Sequence, residues 1–74
     1  MTAPKKRSVT LAGHRTSLSL EEEFWDVLRG LAEEQGRSVT SLLTEIDAAR
    51  GERNFSSAVR VYILEQLLKR PASA

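Results

Sequence analysis

The chain has 74 residues, no cysteine and one histidine, and its formal net charge at pH 7 is +1. Disulfides and thiolate metal sites are excluded, and a metal site built on imidazoles is disfavoured. A domain of this size buries only about 60–65% of the surface its unfolded chain exposes, so self-association is the remaining usual support.

The small net charge hides an uneven distribution. Residues 1–16 carry Lys5, Lys6, Arg7 and Arg15 and no acid, whereas residues 17–35 carry six acids against Arg29 alone. A basic front end beside an acidic segment suits contact with a polyanion. No run of about 18 apolar residues is present to span a membrane. MTAPKKRSVT has no apolar stretch behind its basic residues, as a secretory signal requires. The expected location is the cytoplasm, in association with the nucleoid.

In chain order, residues 1–14 read as a flexible basic arm. Pro4 and the triplet Lys5-Lys6-Arg7 lack an apolar face. Val9, Thr10 and Leu11 could lengthen a strand, but Gly13 interrupts it. Arg15 to Leu20 nearly alternates polar with apolar or β-branched residues, the period of a strand. Thr16, Leu18 and Leu20 share one face, and Arg15, Ser17 and Ser19 the other. From Glu21 the apolar residues recur at three and four (Phe24, Leu28, Leu31), so a first helix is predicted to Glu34 or Gln35. Glu21, Glu22 and Glu23 complement the positive end of its dipole. Ser19 with Glu22 could alternatively form a capping box. Trp25 reads as packing.

Gly36 suits a helix stop and Ser38 an N-cap, so a second helix is predicted from Val39 to Ala49 or Arg50, with Val39, Leu42, Leu43 and Ile46 on its apolar face. Asn54 or Ser56 caps a third helix that ends near Lys69 or Arg70, before Pro71. Phe55, Val59, Tyr62, Ile63 and Leu67 form one stripe on it, widened by Ala58, Val61, Leu64 and Leu68. That is too much apolar surface for a solvated helix. No internal repeat and no low-complexity segment is evident.

A single strand leaves backbone groups unpaired along both edges, and no second convincing strand follows. The simplest remedy is the same strand from a second copy, paired antiparallel about a two-fold axis. The outward residues Arg15, Ser17 and Ser19 would then lie on a two-stranded ribbon. Such a ribbon fits the DNA major groove, where arginine suits guanine and serine can donate or accept.

The segment SLSLEEEFWDVLRGLAEEQGRSVTSLL, Ser17 to Leu43, resembles the ribbon-helix-helix repressors of the Arc and methionine-repressor kind. AEEQGRSVTS is especially similar to the turn of Arc repressor. The longer pattern through IDAARGERNFSSAVRVYILE is similar to a bacterial subgroup of short proteins with such a domain and an added C-terminal helix. The resemblance implies a mostly α fold with one short strand per chain, an intertwined homodimer and an intersubunit ribbon. The domain would cover residues 15–50, the added helix 51–70 and a disordered tail 71–74. It implies base contacts from Arg15, Ser17 and Ser19 and a phosphate clamp at Ser38 and Val39. A helix N-terminus favours a phosphate there independently of family. Arg37 flanks that site, and the arm residues Lys5, Lys6 and Arg7 are placed to follow the phosphate backbone. Leu18, Leu20, Phe24, Leu28, Leu31, Leu42, Leu43 and Ile46 would form the dimer core.

The expected function is a dimeric, sequence-specific DNA-binding transcriptional regulator, a repressor acting on double-stranded DNA. Two other readings stand beside it. In an antitoxin, the third helix would bind a toxin, and in a helical interaction module it would bind another protein partner, in both cases through Phe55, Val59, Tyr62 and Ile63. No cofactor is expected. An enzyme is disfavoured by the lack of a nucleophile–base pair, metal spacing or a Gly-rich phosphate loop.

Overall fold

A computed structural model of the protein describes residues 3–70. It contains two strands, β1 (Lys5–Leu11) and β2 (His14–Leu20), and three helices, α1 (Glu22–Glu34), α2 (Val39–Ala49) and α3 (Phe55–Lys69). The strands pair antiparallel from Lys5↔Leu20 to Leu11↔His14. The two-stranded ribbon followed by helices is therefore present, but its second strand lies in the same chain. Lys5–Leu11 is a strand, where a flexible arm over residues 1–14 was expected, and the pairing uses no second copy. Met1 and Thr2 of that arm, and the expected disordered tail at 71–74, lie outside the described residues.

The two-residue link between the strands explains the difference. Ala12 has φ 49° and Gly13 φ 86°, the two left-handed residues of a type I′ turn. The twist of that turn matches the twist of the paired strands, so it closes tight hairpins. Gly13 is thus the turn itself and not an interruption. The apparent want of a buried face in Lys-Lys-Arg also has a physical answer. Lys5 and Arg7 lie on the inner face, opposite Leu20 and Leu18. Glu22 Oε2 meets Lys5 Nζ at 3.8 Å and Arg7 Nη2 at 3.9 Å. The Arg7 guanidinium lies 4.8 Å from the centre of the Trp25 ring, so a carboxylate and an aromatic face stand in for aliphatic cover.

The helices begin and end close to expectation. α1 starts after Glu21, with no side-chain cap, so Ser19 does not cap it and remains in β2. Ser38 Oγ accepts from the Ser41 amide to cap α2, and Asn54 accepts from the Ser57 amide to cap α3. Leu18, Leu20, Leu28, Leu31, Leu42, Leu43 and Ile46 are buried and Phe24 is half-buried. These residues, expected at a dimer core, form the core of a single chain together with Leu11 and Trp25. Each fully buried leucine contributes about 1.5–3 kcal/mol. α3 closes the core with Phe55, Ala58, Val59 and Ile63. That places Phe55, Val59 and Ile63 inside, so the surface expected to meet another protein is already covered. Its opposite side carries Leu64, Leu67 and Leu68, which are 54%, 45% and 75% exposed.

The turn generates a stability prediction. Asparagine tolerates a positive φ better than alanine and is preferred at the first position of this turn type. Ala12→Asn should therefore raise the thermal midpoint by a few degrees, the shift that about 0.5–1 kcal/mol produces in a domain this small. Gly13→Val should lower stability by about 1–3 kcal/mol through strain. An unchanged urea midpoint for Gly13→Val would show that the turn does not constrain the fold.

Candidate nucleic-acid interface

Residues directly opposite in an antiparallel pair project from the same face. The cross-strand pairs Lys6↔Ser19, Ser8↔Ser17 and Thr10↔Arg15 therefore put six side chains on the face turned away from the helices. Five of them are exposed and Ser19 is half-buried. The face holds two cations, four hydroxyls and no acid. Arg15, Ser17 and Ser19 are together on it, as the alternation predicts. The basic triplet is divided, with Lys6 outward and Lys5 and Arg7 inward on Glu22. Ser8 and Thr10 were missed by the sequence reading. The signal that could have found them is the alternation of Lys6, Ser8 and Thr10 with Arg7, Val9 and Leu11, ending at the Ala-Gly turn.

The far edge of β2 is partly closed by α3. The Ser19 amide donates to Ser56 Oγ at 3.0 Å, and Arg60 Nη2 donates to the Ser19 carbonyl at 3.2 Å. Arg60 Nη2 also meets Glu21 Oε1 at 3.1 Å. Hydrogen bonding from its own backbone amide, and then from Arg60, holds the Glu21 carboxyl below the usual carboxylate range. α3 thus fixes the height and tilt of the hairpin through two backbone bonds and an ion pair. The sequence offers Ser56 only as an alternative cap of α3, a role that Asn54 takes, and does not single out Arg60, because the hairpin partners of the two lie 37 and 41 residues away.

At the start of α2, Ser38 Oγ is engaged by the Ser41 amide at 3.0 Å. Arg37 folds back over the same turn, donating to Ser41 Oγ and the Ser41 carbonyl and pairing with Glu45 Oε2 at 2.9 Å. Its charge is matched within the chain. The Val39 and Thr40 amides, in the first turn, are left as the donors a phosphate oxygen would meet there. His14 lies 3.7 Å from Asp47, at the turn end of the hairpin. Among the described residues no cluster of three or more potential metal ligands occurs, and no helix is long and apolar enough to cross a membrane.

A family model described as a ribbon-helix-helix domain matches residues 4–67. The match takes in β1 and nearly all of α3 as well as the strand and two helices from which the resemblance was read. No curated protein and no solved structure matches the chain.

The Glu21–Arg60 contact predicts a pH dependence. A carboxyl whose folded pKa is lowered contributes stability that is present above its unfolded value and is lost as pH falls through the folded one. Glu21→Gln should therefore be less stable than the parent near neutrality, with the difference shrinking on acidification through the carboxylate range. Urea titrations at stepped pH measure this. A difference that grows on acidification would contradict the assignment.

Proposed function

The chain belongs to the ribbon-helix-helix domain family, and we propose that it is a dimeric, sequence-specific DNA-binding regulator of transcription, acting as a repressor, whose hairpin enters the major groove. Domains of this family are in general DNA-binding regulators or antitoxins. The observation that carries the proposal is the state of the cations. Lys5, Arg7, Arg29, Arg37, Arg50, Arg60 and Arg70 are each paired with a carboxylate. Among the described residues, four cations, Lys6, Arg15, Arg53 and Lys69, have no ion pair, and two of them, Lys6 and Arg15, stand together on the acid-free face of the hairpin.

A ribbon about 5 Å between strand axes enters a groove about 12 Å wide. Arg15, Ser17 and Ser19 then meet base edges, with arginine suited to guanine and the hydroxyls able to donate or accept. The start of α2, with Ser38 and the Val39 amide, supplies a phosphate contact that sets register and carries no sequence information.

Dimerisation rests on the uncovered side of α3. Phe24, Arg60, Val61, Ile63, Leu64 and Leu67 line an almost wholly apolar groove between α1 and α3. Leu64, Leu67 and Leu68, spaced at three and four on α3, add exposed apolar surface beside it. A second copy seated there would give the two-fold symmetry that a pseudo-palindromic operator requires.

Two measurements test the reading. Arg15→Ala should weaken binding to a duplex from the protein's own upstream region by about 1–3 kcal/mol and relax base preference at one position. Retained affinity with unchanged preference would remove Arg15 from the readout. Leu64→Glu combined with Leu67→Glu should convert a sedimenting dimer into a folded monomer. A monomeric parent would overturn the dimer.

A further inference from the structure

The two strands of the hairpin carry a repeated sequence. KKRSVTL in β1 and HRTSLSL in β2 align at an offset of nine residues. Lys6 corresponds to Arg15, Ser8 to Ser17, Val9 to Leu18, Thr10 to Ser19 and Leu11 to Leu20, and the match breaks at Arg7 and Thr16. The pairing register turns this repeat into symmetry. Because Ser8 is opposite Ser17, Lys6 opposite Ser19 and Thr10 opposite Arg15, a local two-fold axis through the Ser8–Ser17 pair exchanges the two strands. It exchanges Lys6 with Arg15 and Thr10 with Ser19. Burial explains the inner match of Val9 and Leu11 with Leu18 and Leu20. It does not require the outer one, where each strand reads cation, hydroxyl, hydroxyl in the same chain direction.

Resting on the DNA-binding reading above, we propose that one chain carries a complete, pseudo-two-fold-symmetric reading ribbon, in which Lys6, Ser8 and Thr10 of β1 contact bases as the counterparts of Arg15, Ser17 and Ser19 of β2. The two cations stand at opposite corners. Four residues of strand separate Lys6 from the level of Arg15, about 13 Å, which matches about four base pairs at ~3.4 Å each. Lysine and arginine both suit guanine O6 and N7. A single hairpin therefore fits a short inverted element with a guanine near each end, one on each DNA strand. The inner cations do not compete for this role, because Lys5 and Arg7 are held on Glu22 and Trp25.

The test uses a random 20-base-pair duplex library, enriched separately on the full chain and on its Lys6→Ala, Lys6→Arg and Arg15→Ala variants, with affinities for the parent's enriched duplex read by fluorescence anisotropy. The expected motif contains a short inverted element whose two guanines, one on each strand, lie about four base pairs apart. Lys6→Ala and Arg15→Ala should each lose about 5- to 150-fold in affinity and each relax the motif at a different end, while Lys6→Arg retains both. Circular dichroism should be unchanged, since both side chains are exposed. Loss on Arg15→Ala alone, with Lys6→Ala unaltered, would overturn the proposal and leave the DNA-binding reading standing. A uniform loss on Lys6→Ala across all sequences, with a shallower salt dependence, would assign Lys6 to phosphate and also overturn it. Failure of the parent to enrich any sequence would overturn the sequence-specific DNA-binding reading itself.

Discussion

The hairpin turn is the constraint on which the rest of the structure depends. Two consecutive left-handed residues, Ala12 and Gly13, set Leu11 opposite His14, and every later pair follows from that one. Strand side chains alternate with a period of two, so a slip of one residue would send Leu18 and Leu20 to solvent and bring Ser17 and Ser19 inside. The turn and the core thus enforce the same register from opposite ends of β2. Leu11, Leu18 and Leu20, all fully buried, hold the inner face to the helices, and the outer face is left to polar residues as a consequence. What the protein offers to a partner on that face is decided by the turn before any partner is present.

The second constraint is the treatment of sheet edges. In a hairpin closed by a two-residue loop the hydrogen-bonded pairs alternate from the turn, so the backbone groups of Arg15, Ser17 and Ser19 face away from β1. An open edge of this kind invites pairing with another chain. Here Ser56 and Arg60 occupy the Ser19 amide and carbonyl, and the bulk of α3 follows. The edge of β1 carries Lys6, a residue type that discourages further strand addition. A two-stranded ribbon is therefore kept two-stranded, which is the width that a major groove admits. α3 closes the core with one side and ends the sheet with its first turns.

The helices were legible because their signals are local. Ser38 and Asn54 cap as their side chains predict, and Gly36 and Gly51 take the positive φ that suits a helix end. The hairpin was half legible. β2 shows the alternation of a strand with one buried face. β1 hides it, because the cover over Lys5 and Arg7 comes from Glu22 and Trp25, residues that no short window brings together. The nine-residue repeat is too short and too approximate to register as a repeat until the pairing shows which positions correspond. α3 was ambiguous for a different reason. With apolar residues on both sides of the helix, periodicity cannot say which stripe turns inward. The answer, Phe55, Val59 and Ile63 inward and Leu64, Leu67 and Leu68 outward, depends on how α1 and β2 receive it.

A net charge of +1 would by itself argue little for a polyanionic partner. The structure changes that argument by showing where the acids are spent. Glu21, Glu22, Glu34, Glu45 and Asp47 each neutralise a cation away from the outer face of the hairpin. Lys6 and Arg15 therefore stand on a face whose own side chains include no carboxylate, and salt screening makes that local arrangement matter more than the sum over the chain. The same partition limits how basic the surface is. Two cations per hairpin release few counterions, so affinity cannot come mainly from phosphate neutralisation. On the DNA-binding reading proposed above, discrimination comes from base contacts of the outer face, Lys6 and Arg15 included, and from the shape of the duplex that face can enter.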